Sequence, residues 1–202
     1  MQIVLPEKKL PATIALNGGG GLNDKDYLAF CEANPDLRIE RTAEGKIIIV
    51  PPASLASSYQ SGEAYGQLRD WAKKNKRGAA FDCSAQFLLP RGDALSPDAS
   101  WVSKERLKQL PASEWVTFPR LCPGFVIEVT SPSDRLSAAK LKMDRWIANG
   151  VDLAWLIHGK KKVVYVYRKD QPVEELQGLT EIAGEGPVNG FVLKLRDIWA
   201  VL

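Results

Sequence analysis

The chain has 202 residues, of which 45% are hydrophobic and 25% are charged, and its formal net charge is +3 at pH 7. This length allows one well-buried core, so a single globular domain is expected. The cysteines Cys31, Cys83 and Cys122 are far apart and lack metal-ligand spacing, which excludes a disulfide framework and a structural zinc site and predicts a cytoplasmic protein. No apolar run could span a bilayer and no signal-peptide pattern is present, so no membrane association is expected.

The N-terminal part predicts an arm over residues 1–22, followed by a single domain over residues 23–202. The arm contains a run of four glycines, Gly18 to Gly21, but no Gly-Lys-Ser/Thr follows it, so the run does not predict a phosphate-binding P-loop. Residues 26–31 predict a short amphipathic helix that ends at Asn34-Pro35. Residues 37–42 and 46–50 predict two strands of a hairpin around Glu44-Gly45.

The middle of the chain predicts a long helix and a second hairpin. Residues 59–75 carry an apolar stripe at helical spacing, formed by Tyr65, Leu68, Trp71 and Ala72. Residues 79–89 and 97–102 predict strands that pair with each other, with a turn at residues 91–93. A short helix is expected over residues 103–110.

Residues 125–130 predict a central strand, because β-branched and aromatic residues dominate this run. Alternation of side chains places Glu128 on one face together with Val126 and Thr130. A carboxylate in an apolar strand is costly to desolvate unless a metal or a cationic side chain meets it. We therefore expect Glu128 to have a partner, which could be a metal ion or a structural ion-pair partner such as a lysine or Arg135.

The rest of the chain predicts a helix over residues 134–149, capped by Ser133 and ended by Gly150. Two strands follow at residues 153–158 and 163–167, joined by a turn with three lysines. A last strand is expected at residues 190–195, before a terminal turn of helix. This order of strands and helices predicts a mixed sheet with helices packed on it.

A candidate metal site follows from Asp98, which begins one strand directly after Pro97, and Glu128 in the next strand. If the two strands are neighbours, their carboxylates can share a Mg²⁺ or Mn²⁺ ion. Lys140 or Lys142, on the following helix, could then orient water and offset negative charge in the transition state. Each residue also has a structural explanation, since Asp98 could cap a turn and the lysines could be solvated.

Several motifs resemble the Uma-type restriction endonuclease family, a branch of the PD-(D/E)XK nuclease superfamily. They are Pro97-Asp98, Glu128-Val129, the Ser-Pro-Ser-Asp run at residues 131–134, and residues 142–146 before Gly150. The resemblance extends from about residue 24 to residue 199. It implies an α/β fold with a restriction-endonuclease-like mixed β-sheet flanked by helices. It also implies Mg²⁺-dependent hydrolysis of phosphodiester bonds, with DNA as the substrate.

The chain departs from the superfamily pattern at Thr130, where the E-x-K motif has a lysine. The resemblance implies that Lys142 takes its place, while helical geometry alone leaves Lys140 as the alternative. It also implies that Glu63 could add a third carboxylate to the metal site. A solvated glutamate near a helix N-terminus is the simpler explanation of Glu63.

A homodimer is expected by analogy, because a nuclease with one metal site per chain needs two chains to cut both strands of a duplex. His158 is the only histidine and is interpreted as structural, so histidine-based nucleophilic catalysis is not favoured. Two alternatives remain open. One is a catalytically inactive nuclease-fold module that binds nucleic acid or a protein partner, and the other is a hydrolase of small phosphoesters. Two basic clusters could contact a phosphate backbone, at Lys73, Lys74, Lys76 and Arg77 and at Lys160, Lys161 and Lys162.

Overall fold

The computed structural model describes residues 12–14, 22–130 and 135–200. The strands are β1 (Ala12–Ile14), β2 (Arg38–Arg41), β3 (Ile47–Val50), β4 (Gly78–Asp82), β5 (Phe87–Leu88), β6 (Ala94–Leu95), β7 (Ala99–Ser103), β8 (Phe125–Thr130), β9 (Leu153–His158), β10 (Val163–Arg168), β11 (Glu174–Gln177), β12 (Glu181–Ala183) and β13 (Val192–Lys194). The helices are α1 (Asp24–Glu32), α2 (Leu55–Asn75), α3 (Lys104–Lys108), α4 (Leu136–Ala148) and α5 (Leu195–Trp199). Short 3₁₀ turns occur at Ala112–Trp115, Gly159–Lys161 and Gly186–Val188.

The main sheet has six strands in the order β11-β10-β9-β8-β7-β4. β8 and β9 are parallel, joined by the crossover helix α4, and the other pairs of this sheet are antiparallel. Ala99 of β7 is paired with Ile127 of β8, so the strands that carry the two predicted metal ligands are neighbours. The mixed sheet with flanking helices is therefore confirmed.

A second sheet has the strand order β1-β3-β2-β6-β5 and contains the predicted N-terminal hairpin. The prediction that residues 79–89 form one strand is wrong, because Ser84 and Asp82 form a turn that separates β4 from β5. The tight turn at residues 89–93 then joins β5 to β6 in the second sheet, while β4 pairs with β7 in the main sheet. The chain thus passes from the second sheet to the main sheet through Ser96, Pro97 and Asp98.

Two helices cover opposite faces of the main sheet. α2 packs through Ala64, Leu68 and Ala72 on the face that carries Ile127. It starts four residues before its predicted start, because the Ser54 side chain accepts a hydrogen bond from the backbone N–H of Ser57 and caps it there. α4 packs on the other face, where Met143 and Trp146 are fully buried among residues that include Val126.

The start of α4 differs from the predicted one, since Leu136 is its first residue and Arg135 is the residue before it. The predicted cap, Ser133, lies outside the described residues, as does Asp134. The predicted end is close to the observed one, because Gly150 has a φ of +102° that stops the helix. Glu128 is two residues after Val126 in β8 and shares its face of the sheet, so the side chain of Glu128 lies beneath α4.

In the part of the chain that the structure describes, the helices are too short or too polar for any of them to cross a membrane.

Candidate active site

Asp98 lies where the chain enters β7, and its position follows from the pairing of β7 with β8. Its Oδ2 accepts a hydrogen bond of 2.8 Å from the backbone N–H of Val129. Continuing the β7–β8 register by one residue sets Asp98 directly opposite Glu128. Like charges in such a cross-strand pair repel each other, so the pair requires a compensating positive charge.

Glu128 is held by two donors from α4. Its Oε1 accepts hydrogen bonds from Nε1 of Trp146, at 2.8 Å, and from Nζ of Lys142, at 2.9 Å. Its side chain is only 12% exposed. The sheet and α4 together therefore fix the carboxylate where little water reaches it.

Lys142 uses all three of its N–H donors. Besides Glu128, its Nζ contacts Oε1 of Glu40 at 2.9 Å and donates to the carbonyl oxygen of Ser96 at 2.8 Å. The ammonium group of Lys140 instead lies over the ring of Tyr165, 4.1 Å from the ring centroid. The structure thus places Lys142, rather than Lys140, beside Glu128.

Glu40 belongs to this cluster although the sequence did not single it out. It lies in β2 of the second sheet, is 4% exposed, and its Oε1 also accepts a 3.0 Å hydrogen bond from the backbone N–H of Ser96. The sequence marks Glu128 as a carboxylate in an apolar run, whereas the sequence of β2, Arg-Ile-Glu-Arg, is typical of a solvated strand. No local sequence signal marks Glu40 as buried.

The electrostatics of the cluster reflect three acidic groups around one lysine. Burial raises the pKa of Glu128 to about 7, assisted by Asp98 and Glu40 and opposed by Lys142. Burial also raises the pKa of Asp98, against the lowering effects of the Val129 N–H and Lys142. Burial alone would lower the pKa of Lys142, but Glu128 and Glu40 hold it above its ordinary value. The lysine therefore stays charged at neutral pH, while Glu128 titrates close to neutrality.

Glu63 is half-buried on α2, the helix on the opposite face of the main sheet from α4. Among the described side chains it has no hydrogen bond or ion pair with Asp98, Glu128 or Lys142. The structure does not bring it into a three-carboxylate group with the two predicted ligands. A role of Glu63 as a third metal ligand stays a prediction.

The pair of Asp98 and Glu128 fits a divalent cation. The hydrogen bonds that the described residues donate to this pair go to Oδ2 of Asp98 and to Oε1 of Glu128, and two adjacent carboxylates supply the oxygen ligands that Mg²⁺ prefers. The described part of the chain contains no group of three or more His, Cys, Asp or Glu side chains placed to hold a metal ion. Two carboxylates are nevertheless sufficient for Mg²⁺, which usually retains several waters and binds substrate phosphate oxygens.

The sequence matches one known protein family over most of its length. A family model described as "Uma2: Putative restriction endonuclease" matches residues 24–196. The chain belongs to the Uma2 family. The match includes both carboxylates, Lys142 and Glu40, so the whole cluster lies inside the shared domain. This family description supports a nuclease function in general.

A solved structure has the same fold. It is described as a "putative nuclease belonging to DUF820" from Anabaena variabilis ATCC 29413, and it is similar to this Uma2 chain at a TM-score of 0.72 and 20% sequence identity. The similarity covers 89% of this chain and 98% of that chain. No match was found among curated proteins.

Proposed function

We propose that this Uma2 protein is a metal-dependent endonuclease that hydrolyses phosphodiester bonds in DNA, with Mg²⁺ or Mn²⁺ held by Asp98 and Glu128. The observation that carries the proposal is the half-buried cross-strand pair of carboxylates with a charged lysine beside it. Membership in a family whose description is "Putative restriction endonuclease" supports the nuclease class. The metal identity, the DNA substrate, a homodimer and a cytoplasmic location belong to the proposal.

The reaction is hydrolysis. A water oxygen bonds to phosphorus, one P–O ester bond breaks, and the leaving oxygen takes up a proton, so that a phosphomonoester and a hydroxyl group form. A bound divalent cation would lower the pKa of a coordinated water and offset the charge on the phosphate. Asp98 and Glu128 would supply the anionic oxygens that hold the cation.

Lys142 acts as an electrostatic group in this proposal and not as a base, because its raised pKa keeps it protonated. It can donate to a water or a phosphate oxygen by exchanging one of its three acceptors. Glu128 is the exchangeable one, since its Oε1 keeps the hydrogen bond from Trp146 when the lysine turns away. Glu40 and the Ser96 carbonyl keep the ammonium next to the two carboxylates.

A catalytically inactive module is the second candidate, and one observation favours it. The three N–H donors of Lys142 are all satisfied by protein acceptors, as expected for a structural ion pair. Such a module would bind nucleic acid or a protein partner without cutting. Divalent cations would then have no effect on its stability.

The test is cleavage of supercoiled and single-stranded DNA with Mg²⁺ or Mn²⁺, alongside melting temperature with and without Mn²⁺. Asp98→Asn and Glu128→Gln remove one negative charge each at nearly constant shape, and we expect both to abolish cleavage and the Mn²⁺-induced stabilisation. Lys142→Met should abolish cleavage at a temperature where circular dichroism shows it folded, whereas the matched control Lys140→Met should cut. Glu63→Gln reports whether a third ligand contributes. Absence of both cleavage and Mn²⁺ stabilisation in the wild type would establish the inactive module.

A further inference from the structure

Arg38 lies in β2 on the same face as Glu40. Side chains alternate along a strand, and Ile39 and Arg41 occupy the other face, where Ile39 joins the core of the second sheet. Glu40 contacts Lys142 and the backbone of Ser96, two residues before Asp98. The same strand therefore places Arg38 near the cluster of Asp98, Glu128 and Glu40.

The guanidinium of Arg38 lacks a partner among the described residues. It has no hydrogen bond or ion pair there, and its Nε–H is buried without an acceptor. Other arginines beside this site are well paired: Arg41 binds Asp24 and two backbone carbonyls, and Arg145 binds Asp93 and Glu44. A buried donor without an acceptor is costly, so it indicates a missing ligand.

The position of Arg38 also indicates that the missing ligand is an anion. Burial raises the pKa of Asp98, and the Val129 N–H, Lys142 and Arg38 oppose that rise, so the guanidinium lies within electrostatic reach of this carboxylate. It nevertheless forms no ion pair with any of the three acidic side chains. Its donors thus stay available for an anion that enters the cluster.

We propose that Arg38 is a substrate-binding residue, whose guanidinium donates hydrogen bonds to the non-bridging oxygens of a phosphodiester that lies at the cation site formed by Asp98 and Glu128. Its planar group of donors matches the oxygens of a phosphate in a two-point contact, which an ammonium group cannot reproduce. Phosphate binding would satisfy the donors that the protein leaves free and would stabilise negative charge in the transition state. This proposal rests on the proposed nuclease function.

The test uses Arg38→Gln and Arg38→Lys in the full-length protein, with Arg196→Gln as the matched control. Arg196 is exposed on α5, which packs with α2, so its substitution removes the same charge elsewhere. Three quantities are measured: cleavage rate with Mg²⁺, affinity for a short DNA duplex in Ca²⁺, and melting temperature with and without Mn²⁺.

We expect Arg38→Gln to reduce the cleavage rate by about 100-fold, with Arg38→Lys between it and the wild type. The melting temperature should not fall, because no intramolecular partner is lost, and Mn²⁺ affinity should be retained or rise, because a cation near the metal site is removed. A lowered melting temperature with cleavage and DNA affinity intact would assign Arg38 a structural role and overturn the proposal.

Failure of the nuclease proposal gives a different pattern. If the wild type does not cut DNA, the DNA affinity alone decides the role of Arg38. A larger loss of affinity in Arg38→Gln than in Arg196→Gln then supports the phosphate contact, and equal losses overturn it.

Discussion

Replacing Lys142 by Met should destabilise the protein in a pH-dependent manner. The substitution keeps the length of the side chain but removes an ammonium group that contacts both Glu40 and Glu128, whose side chains are 5% and 12% exposed. Breaking a buried ion pair from one side typically costs about 3–5 kcal/mol, because the remaining charge is left uncompensated. We therefore expect a loss of this size in the free energy of unfolding at pH 8.

The loss should become smaller as the pH falls. Without Lys142, the pKa of Glu128 in the folded protein should rise above its present value of about 7, since the lysine is the group that lowers it. A folded-state pKa above the unfolded value favours folding at low pH, and that stability is lost as the pH rises through the folded pKa. Wild type and variant differ in the protonation of Glu128 only above about pH 7, so proton uptake between pH 8 and pH 7 should reduce the loss by at most about 1.4 kcal/mol, and the loss should stay constant at lower pH.

The assay is urea unfolding of the wild type, Lys142→Met and Lys140→Met at pH 5, 6.5 and 8. The ammonium group of Lys140 lies over the ring of Tyr165, so its replacement should cost about 0.5–1 kcal/mol, independent of pH. Equal, pH-independent losses in the two variants would refute the reasoning, because they would show that Lys142 does not neutralise buried carboxylates.

Two further predictions follow from the same cluster. Mn²⁺ affinity should increase about tenfold per pH unit up to pH 7 and then level off, because the cation must displace the proton of Glu128. The affinity is measured from the thermal shift that Mn²⁺ causes. An affinity unchanged between pH 5.5 and 8 would exclude Glu128 as a ligand. Glu40→Gln should lower the cleavage rate about tenfold or more and shift the pH profile of cleavage, because it removes an ion-pair partner that positions Lys142. Mn²⁺ binding should persist in this variant. An unaltered rate and pH profile would show that Glu40 has a structural role alone.

The sequence alone determined most of the helices and strands, and it identified the two carboxylates of the site. Strand periodicity located β8 with its single carboxylate, and glycine positions located the β2–β3 turn and the end of α4. It also placed Asp98 and Glu128 on strands that proved to be neighbours. These features depend on residues close together in the chain, which is why a pattern can reveal them.

Tertiary structure decided which other side chains reach the carboxylates. Lys140 and Lys142 flank the apolar stripe of α4 on opposite sides, so only the way α4 lies on the sheet brings Lys142 to Glu128 and directs Lys140 to Tyr165. Glu40 and Arg38 come from a different sheet, about sixty residues before β7 in the chain, and their strand looks solvated in sequence. Glu40 is buried and Arg38 is half-buried next to this site because β2 pairs with β6, which leads directly into Ser96 and Asp98. Long-range packing of this kind leaves no local pattern, and it is what surrounds the two predicted ligands with Lys142, Glu40 and Arg38.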